Sequence, residues 1–152
     1  MIHLSPHFTL EELTVSETAA RVGIDMRPPA DVVENLRRLA VLVLEPVRSA
    51  VGGALRITSG YRPAALNDLI GGSRTSDHLR GLAADCFAPT LSLGELVTRV
   101  RALEHEIPLR QCILEFGSWV HLSCEPIAAE PRREFLSATR ENGRTVYRAL
   151  EA

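Results

Sequence analysis

The sequence predicts an α+β fold in which helices pack on one side of a small, mainly antiparallel sheet. Three observations predict it. Apolar residues recur at helical spacing through residues 29–50. Four short stretches, residues 55–58, 83–87, 111–116 and 119–123, alternate or run compactly apolar as strands do. Two turn signals, Gly117-Ser118 and Asn142-Gly143, join neighbouring strand candidates into hairpins. With 152 residues the chain is long enough to bury one sizeable core.

Taken in order, Phe8-Thr9-Leu10-Glu11-Glu12-Leu13 predicts a short helix capped by Thr9, with Glu12 completing a capping box. A second short helix is expected over residues 16–21, stopped by Gly23. Pro28-Pro29 then precedes the long helix of residues 29–50. Val32, Val33, Leu36, Leu39, Ala40, Val43, Leu44 and Val47 form its apolar stripe, Pro46 kinks or ends it, and Gly52-Gly53 stops it. Ser59-Gly60 turns the first strand into a Tyr61-Arg62-Pro63 corner, a helix follows over 63–69, and residues 73–78 form a polar loop. Ser92, with Glu95 three residues on, caps a helix whose stripe is Leu96, Val97, Val100 and Leu103. After Pro126 the composition shifts. Residues 133–138 and 145–150 flank Asn142-Gly143 as an extra hairpin that packs on the sheet edge or serves assembly. The expected division is residues 1–125 as one domain and 126–152 as a C-terminal extension.

Composition excludes some functions. A net charge of −2 gives no support for a nucleic-acid surface, and the arginines of the tail are interleaved with acidic residues as on a solvated face. No apolar run reaches the roughly 18 residues of a membrane span. The N-terminus lacks a basic start and a hydrophobic signal core, so synthesis in the cytoplasm without a signal peptide is expected. Cys86, Cys112 and Cys124 are expected to be buried free thiols, since they are odd in number and form no Cys-x-x-Cys pair.

The chemistry concentrates in Ser76-Asp77-His78-Leu79-Arg80-Gly81-Leu82-Ala83-Ala84-Asp85 and Trp119-Val120-His121. A catalytic zinc takes three protein ligands and leaves a fourth position open, and His78, Asp85 and His121 supply two imidazoles and a carboxylate. Gly81 lets the connecting chain bend. Spacing alone leaves other readings open: a strand histidine is more often packed or hydrogen-bonded than a ligand, and Asp85 could be a buried acceptor.

Further elements occur in order around these residues. Ser59-Gly60-Tyr61-Arg62, Asn67, Gly71-Gly72, Ser76-x-His78-x-x-Gly81-x-Ala83-x-Asp85 and Trp119-Val120-His121 together resemble the peptidase M15 family. These are the zinc D-Ala-D-Ala carboxypeptidases and L-Ala-D-Glu endopeptidases of peptidoglycan. The likeness is to their compact phage and prophage form, and it extends to Phe8-Thr9-Leu10-Glu11-Glu12-Leu13 and Ser16-x-Thr18-Ala19-Ala20-Arg21. It covers about residues 5–125 and leaves the tail outside.

The resemblance implies a Hedgehog/DD-peptidase-like architecture and one zinc ion held by His78, Asp85 and His121. It implies Arg62 facing the substrate, on a carboxylate or a developing oxyanion, with Ser76 and Asn67 in support beside Tyr61. Trp119 is either a core aromatic or a wall of the substrate cleft. Several members place a glutamate three residues before the last histidine, but Ser118 stands there in this chain. Glu115 is the remaining candidate for general base, against a plain strand-end carboxylate. The implied substrate is the peptidoglycan stem peptide, met in the cell wall after release or delivery as by a phage endolysin, with a monomer expected. Two rivals are a non-catalytic zinc-binding structural or assembly module and a hydrolase using Cys86 or Cys124.

Overall fold

The computed structural model describes residues 1–152. The chain opens with a two-stranded ribbon, β1 (His3–Ser5) antiparallel to β2 (Phe8–Thr9), where a helix over residues 8–13 is expected. The ladder is the reason. It takes up the backbone of Phe8 and Thr9, and Leu10 N donates to Ile2 O at 2.8 Å. A single turn survives, with Thr9 Oγ accepting from Glu12 N at 3.1 Å. It cannot propagate, because Leu13 O is used by Tyr61 N at 2.8 Å.

Helix α1 (Glu17–Val22) follows, capped by Ser16 Oγ on Ala19 N and ended by Gly23 at φ 79°. The long apolar segment is α2 (Ala30–Leu39), a π turn (Ala40–Leu44) and α3 (Glu45–Val51) in unbroken succession, closed by Gly52 at φ 74°. Pro46 explains the π turn. Proline has no N–H to give the carbonyl four residues back, and its ring would clash with it, so the preceding turn widens. The helical run therefore continues through the proline.

Strands β3 (Arg56–Ser59), β4 (Ala83–Phe87), β5 (Leu109–Glu115), β6 (Trp119–Cys124), β7 (Glu134–Glu141) and β8 (Arg144–Ala149) form one sheet in the order β3-β4-β6-β5-β7-β8. Only β5–β7 is parallel; the other neighbours run antiparallel. Helix α4 (Ala64–Leu69) follows β3, and α5 (Leu93–Ala102) follows β4 with the Ser92–Glu95 capping box formed at both bonds. Residues after Pro126 build β7 and β8, turned at Asn142 and Gly143 with positive φ, and add both strands to the sheet beside β5.

The period-two alternation sorts the sheet into two faces. Ala84, Cys86, Cys112, Val120, Leu122, Cys124 and Phe135 point into a single cluster of 27 buried residues that includes the stripe of α2 and α3 and that of α5. Asp85, His121, Ile113, Glu115 and Leu136 therefore point to the opposite face, where the cleft lies. A bulge between Leu109 and Gln111 resets the alternation, so Leu109 joins the core while Arg110 and Gln111 both border the cleft. No helix is long and apolar enough to cross a membrane.

Candidate metal centre

His78 sits in a 3₁₀ turn (Asp77–Arg80) whose start is capped by Ser76, with the hydroxyl accepting from His78 N at 3.2 Å. Gly81 ends the turn at φ 72°, and a Cβ there would lie 2.9 Å from both Cγ1 and O of Val32. Only glycine lets the turn rest this closely on α2. Asp85 and His121 lie directly opposite each other on β4 and β6, both on the cleft face. Three residues from separate parts of the chain thus meet.

Their donor set fits a metal ion. His78 Nδ1 donates to Gly60 O at 2.7 Å; a carbonyl only accepts, so Nδ1 carries the proton and Nε2 turns toward the site. Asp85 Oδ1 stands 3.2 Å from His78 Nε2 and 3.1 Å from His121 Nδ1. One carboxylate oxygen facing two ring nitrogens needs protons or a cation among them. All three ligand atoms lie within 4.8 Å of one another. The edges of a tetrahedron with bonds of about 2.0–2.1 Å are about 3.3 Å, close to the two separations seen. The cluster is able to coordinate a metal ion.

The charges reinforce this. Burial pushes the Asp85 carboxyl up, but the charge of His78 and the hydrogen bonds from both histidines outweigh it and hold the group well below the ordinary carboxylate range. Burial lowers His121, and the bond and charge of Asp85, with the charges of Glu115 and Asp77, raise it on balance. The site is an anionic pocket for a cation.

Arg62 borders the same cleft. Its backbone N donates to His78 O at 3.0 Å and its Nη1 to Asn67 Oδ1 at 2.9 Å, while Asn67 Nδ2 donates to Ser73 O at 3.0 Å. Its buried Nε has no partner. Burial lowers its pKa, opposed by the charges of Asp85 and Glu115. Gly72 makes this cradle fit, since a Cβ there would fall 2.1 Å from Asn67 Oδ1 and 2.6 Å from Arg62 Nη1.

Glu115 Oε1 lies 3.8 Å from His121 Nδ1 and accepts from Trp119 Nε1 at 2.9 Å. The two residues are cross-strand neighbours at the end of the β5–β6 hairpin, which turns at Phe116 and Gly117 with positive φ. Trp119 lines the cleft and packs edge-on against Phe116. Ser118 is at the tip of the turn, exposed, with its hydroxyl on Phe116 O. Tyr61 is not at the cleft: its ring is in the core and borders a separate hollow near Val15 and Thr18.

Two groups here carry little signal in the sequence. Asp77 is buried and pairs with Arg80 Nη2 at 2.7 Å and Arg110 Nε at 3.0 Å. Arg110 continues to the buried Glu125 at 2.9 Å, whose other oxygen accepts from Arg132 N at 2.8 Å. This chain of charges ties the His78 turn to β5 and to the start of the tail. The second group is the far wall of the cleft, made by Leu136, Arg140, Thr145 and Tyr147 of β7 and β8. The tail's own turn signal is legible, but the parallel pairing that brings it here is not.

The cysteines are free and buried. Burial pushes the Cys112 thiol up to about 12 and that of Cys124 to about 11, and Cys86 well above its usual value. None is an available thiolate at neutral pH, which removes the thiol-hydrolase reading.

The cleft that these residues enclose measures about 630 Å³, room for a peptide segment. A family model described as Peptidase M15 matches residues 6–123. A search of curated proteins finds no match. That match takes in the His78 turn, β3 to β5, β6 as far as Ser123, and His78, Asp85 and His121: the chain belongs to the peptidase M15 family.

Proposed function

We propose that this protein is a zinc-dependent peptidase that hydrolyses peptide bonds in the stem peptides of bacterial peptidoglycan, as a carboxypeptidase or an endopeptidase. The observation that carries the reading is the His78, Asp85 and His121 cluster opening into a cleft with a second, unligated carboxylate, Glu115, beside it. When bound, the ion supplies Lewis acidity to activate water and polarise the scissile carbonyl.

The chain's own residues divide the remaining work. Asp85, His121 and His78 hold the ion, with the Gly60 carbonyl fixing the His78 tautomer. Glu115 takes the proton from the attacking water, held in place by the Trp119 indole. Its place beside His121 supports giving it the role that Ser118, turned away at the hairpin tip, does not fill. Arg62, propped by Asn67, offers a fixed cation for a substrate carboxylate or the developing oxyanion.

The test is incubation of the purified, zinc-loaded protein with peptidoglycan fragments, with and without a chelator, and identification of products by mass. Cleavage that stops on chelation and returns with zinc is expected. Cleavage that survives complete metal removal would overturn the proposal, and zinc binding without cleavage would leave a metal-binding module in its place. Loss of a terminal D-alanine identifies a carboxypeptidase; an internal cut identifies an endopeptidase.

A further inference from the structure

Register carries the tail into the cleft. On the sheet face that bears the triad, Asp85, His121, Ile113 and Leu136 lie in one row across β4, β6, β5 and β7. The next row holds Trp119, Glu115, Ala138 and Tyr147, and beyond it Arg140 faces Thr145. Ala138 is small and lies between Glu115 and Tyr147 in the register, and both of those residues line the cleft. Burial and then the charge of Glu115 raise the Tyr147 pKa, in keeping with that proximity.

The hairpin also separates its charges by face. On the other side, Arg148 pairs with Glu141, which also accepts from Thr139. On the cleft side Arg140 makes no ion pair; its guanidinium lies 5.4 Å above the Phe116 ring, which packs on Trp119. Of the cleft's other arginines, Arg110 is spent on Asp77 and Glu125, and Arg132 stands 3.9 Å from Glu134. The three cleft carboxylates are engaged too: Asp77 with arginines, Asp85 with both histidines, and Glu115 with Trp119. Arg140 is an exposed cation with no ion-pair partner at the far end of the cleft, across the triad from Arg62.

We propose that the C-terminal hairpin supplies a substrate subsite, with Arg140 as a specificity-determining residue for a carboxylate on the peptide and Tyr147 as its flank. From the spacing of strands and residues, Arg140 lies about 16 Å from His121 backbone to backbone, the span of about four extended residues plus a side chain. The subsite therefore reads a carboxylate about four residues along the peptide from the bond at the metal. A guanidinium suits that group because it presents planar, paired donors. The subsite belongs to residues beyond the family match, so it sets this chain's preference and not its chemistry. The inference rests on the peptidase reading.

The experiment uses the full-length, zinc-loaded protein and the stem pentapeptide, alongside versions with each carboxylate amidated in turn. Wild type is compared with Arg140→Ala, Arg140→Lys and Arg144→Ala; the last removes a hairpin charge on the opposite face. For wild type, amidating one carboxylate should raise KM about tenfold with kcat changed less than about threefold. Arg140→Ala should show that higher KM with the native peptide and no further loss on amidation, Arg140→Lys should recover part of it, and Arg144→Ala should match wild type. Equal KM values for wild type and Arg140→Ala, or the same loss in Arg144→Ala, would overturn the subsite. If wild type cleaves nothing, the peptidase reading fails, and quenching of Trp119 fluorescence by the same peptides decides the subsite separately. Tighter binding of the carboxylate form, lost in Arg140→Ala, upholds it, and equal binding overturns it.

Discussion

Replacing Glu115 with glutamine isolates the proton-transfer role assigned to it. The amide keeps the size of the side chain, and its oxygen can still accept from Trp119 Nε1, so the hairpin should keep its geometry. Glu115 is not among the three residues able to hold a metal ion, and Asp85 and both histidines are untouched. What is lost is the ability to take a proton beside the His78, Asp85 and His121 cluster, 3.8 Å from His121 Nδ1. General-base catalysis contributes about 10²–10⁴-fold, or about 2.7–5.5 kcal/mol of transition-state stabilisation, and kcat should fall by that factor. KM should change little. Trp119→Phe removes the orienting hydrogen bond while leaving the carboxylate, and should cost about tenfold. The assay is steady-state release of product from a stem-peptide substrate, with zinc content measured on every preparation and thermal unfolding used to confirm the fold. Activity of Glu115→Gln within threefold of wild type, at full zinc occupancy, would refute the argument and place the base elsewhere.

Three further perturbations test the frame around the site. Arg110→Ala leaves Asp77 with Arg80 and Glu125 with one backbone N–H, so it should cost about 2–4 kcal/mol, toward the lower part of the range for broken buried pairs. Thermal unfolding should then begin about 5–15 °C lower, and a shift below 2 °C would deny the network a structural role. Gly72→Ala drives a methyl into the Arg62–Asn67 contact and should lower kcat/KM about 10²-fold with zinc content unchanged; activity near wild type would show that the guanidinium's position is immaterial. Zinc must displace the proton that Asp85 favours on His121, so affinity should weaken on acidification, by up to about tenfold per pH unit once His121 is protonated. The window lies above the ordinary histidine value of about 6.5, because Asp85 raises His121. In the metal-free protein the same raised value adds stability that is present below that ordinary value and is lost as pH rises through the folded one. Competition titrations between pH 6 and 8 that give a flat zinc affinity would contradict this linkage.

Local rules made much of this protein readable. The Ser92 cap, the Gly23 and Gly52 stops and the Asn142-Gly143 turn each depend on neighbours a few residues away, and each forms as the sequence predicts. The apolar stripe of residues 29–50 is equally local, and Pro46 changes only the width of one turn. His78, Asp85 and His121 stood out because a motif records, in spacing, the pairing of β4 with β6.

Tertiary structure decided the rest. Residues 8–13 carry a genuine helix-start signal, but a ladder to β1 and the demand of Tyr61 N for Leu13 O outweigh it. Asp77 looks solvated until β5 brings Arg110 against it from 33 positions away, and Glu125 looks ordinary until the same guanidinium reaches it. Glu115 acquires its place beside His121 from the register of one hairpin. The tail joins the cleft through the parallel pairing of β7 with β5, which no turn residue announces. Spacing along the chain encodes caps, turns and periodicity because their partners are near in sequence. Charge compensation and sheet register are settled between distant segments, where each side chain answers to neighbours that only the folded chain supplies.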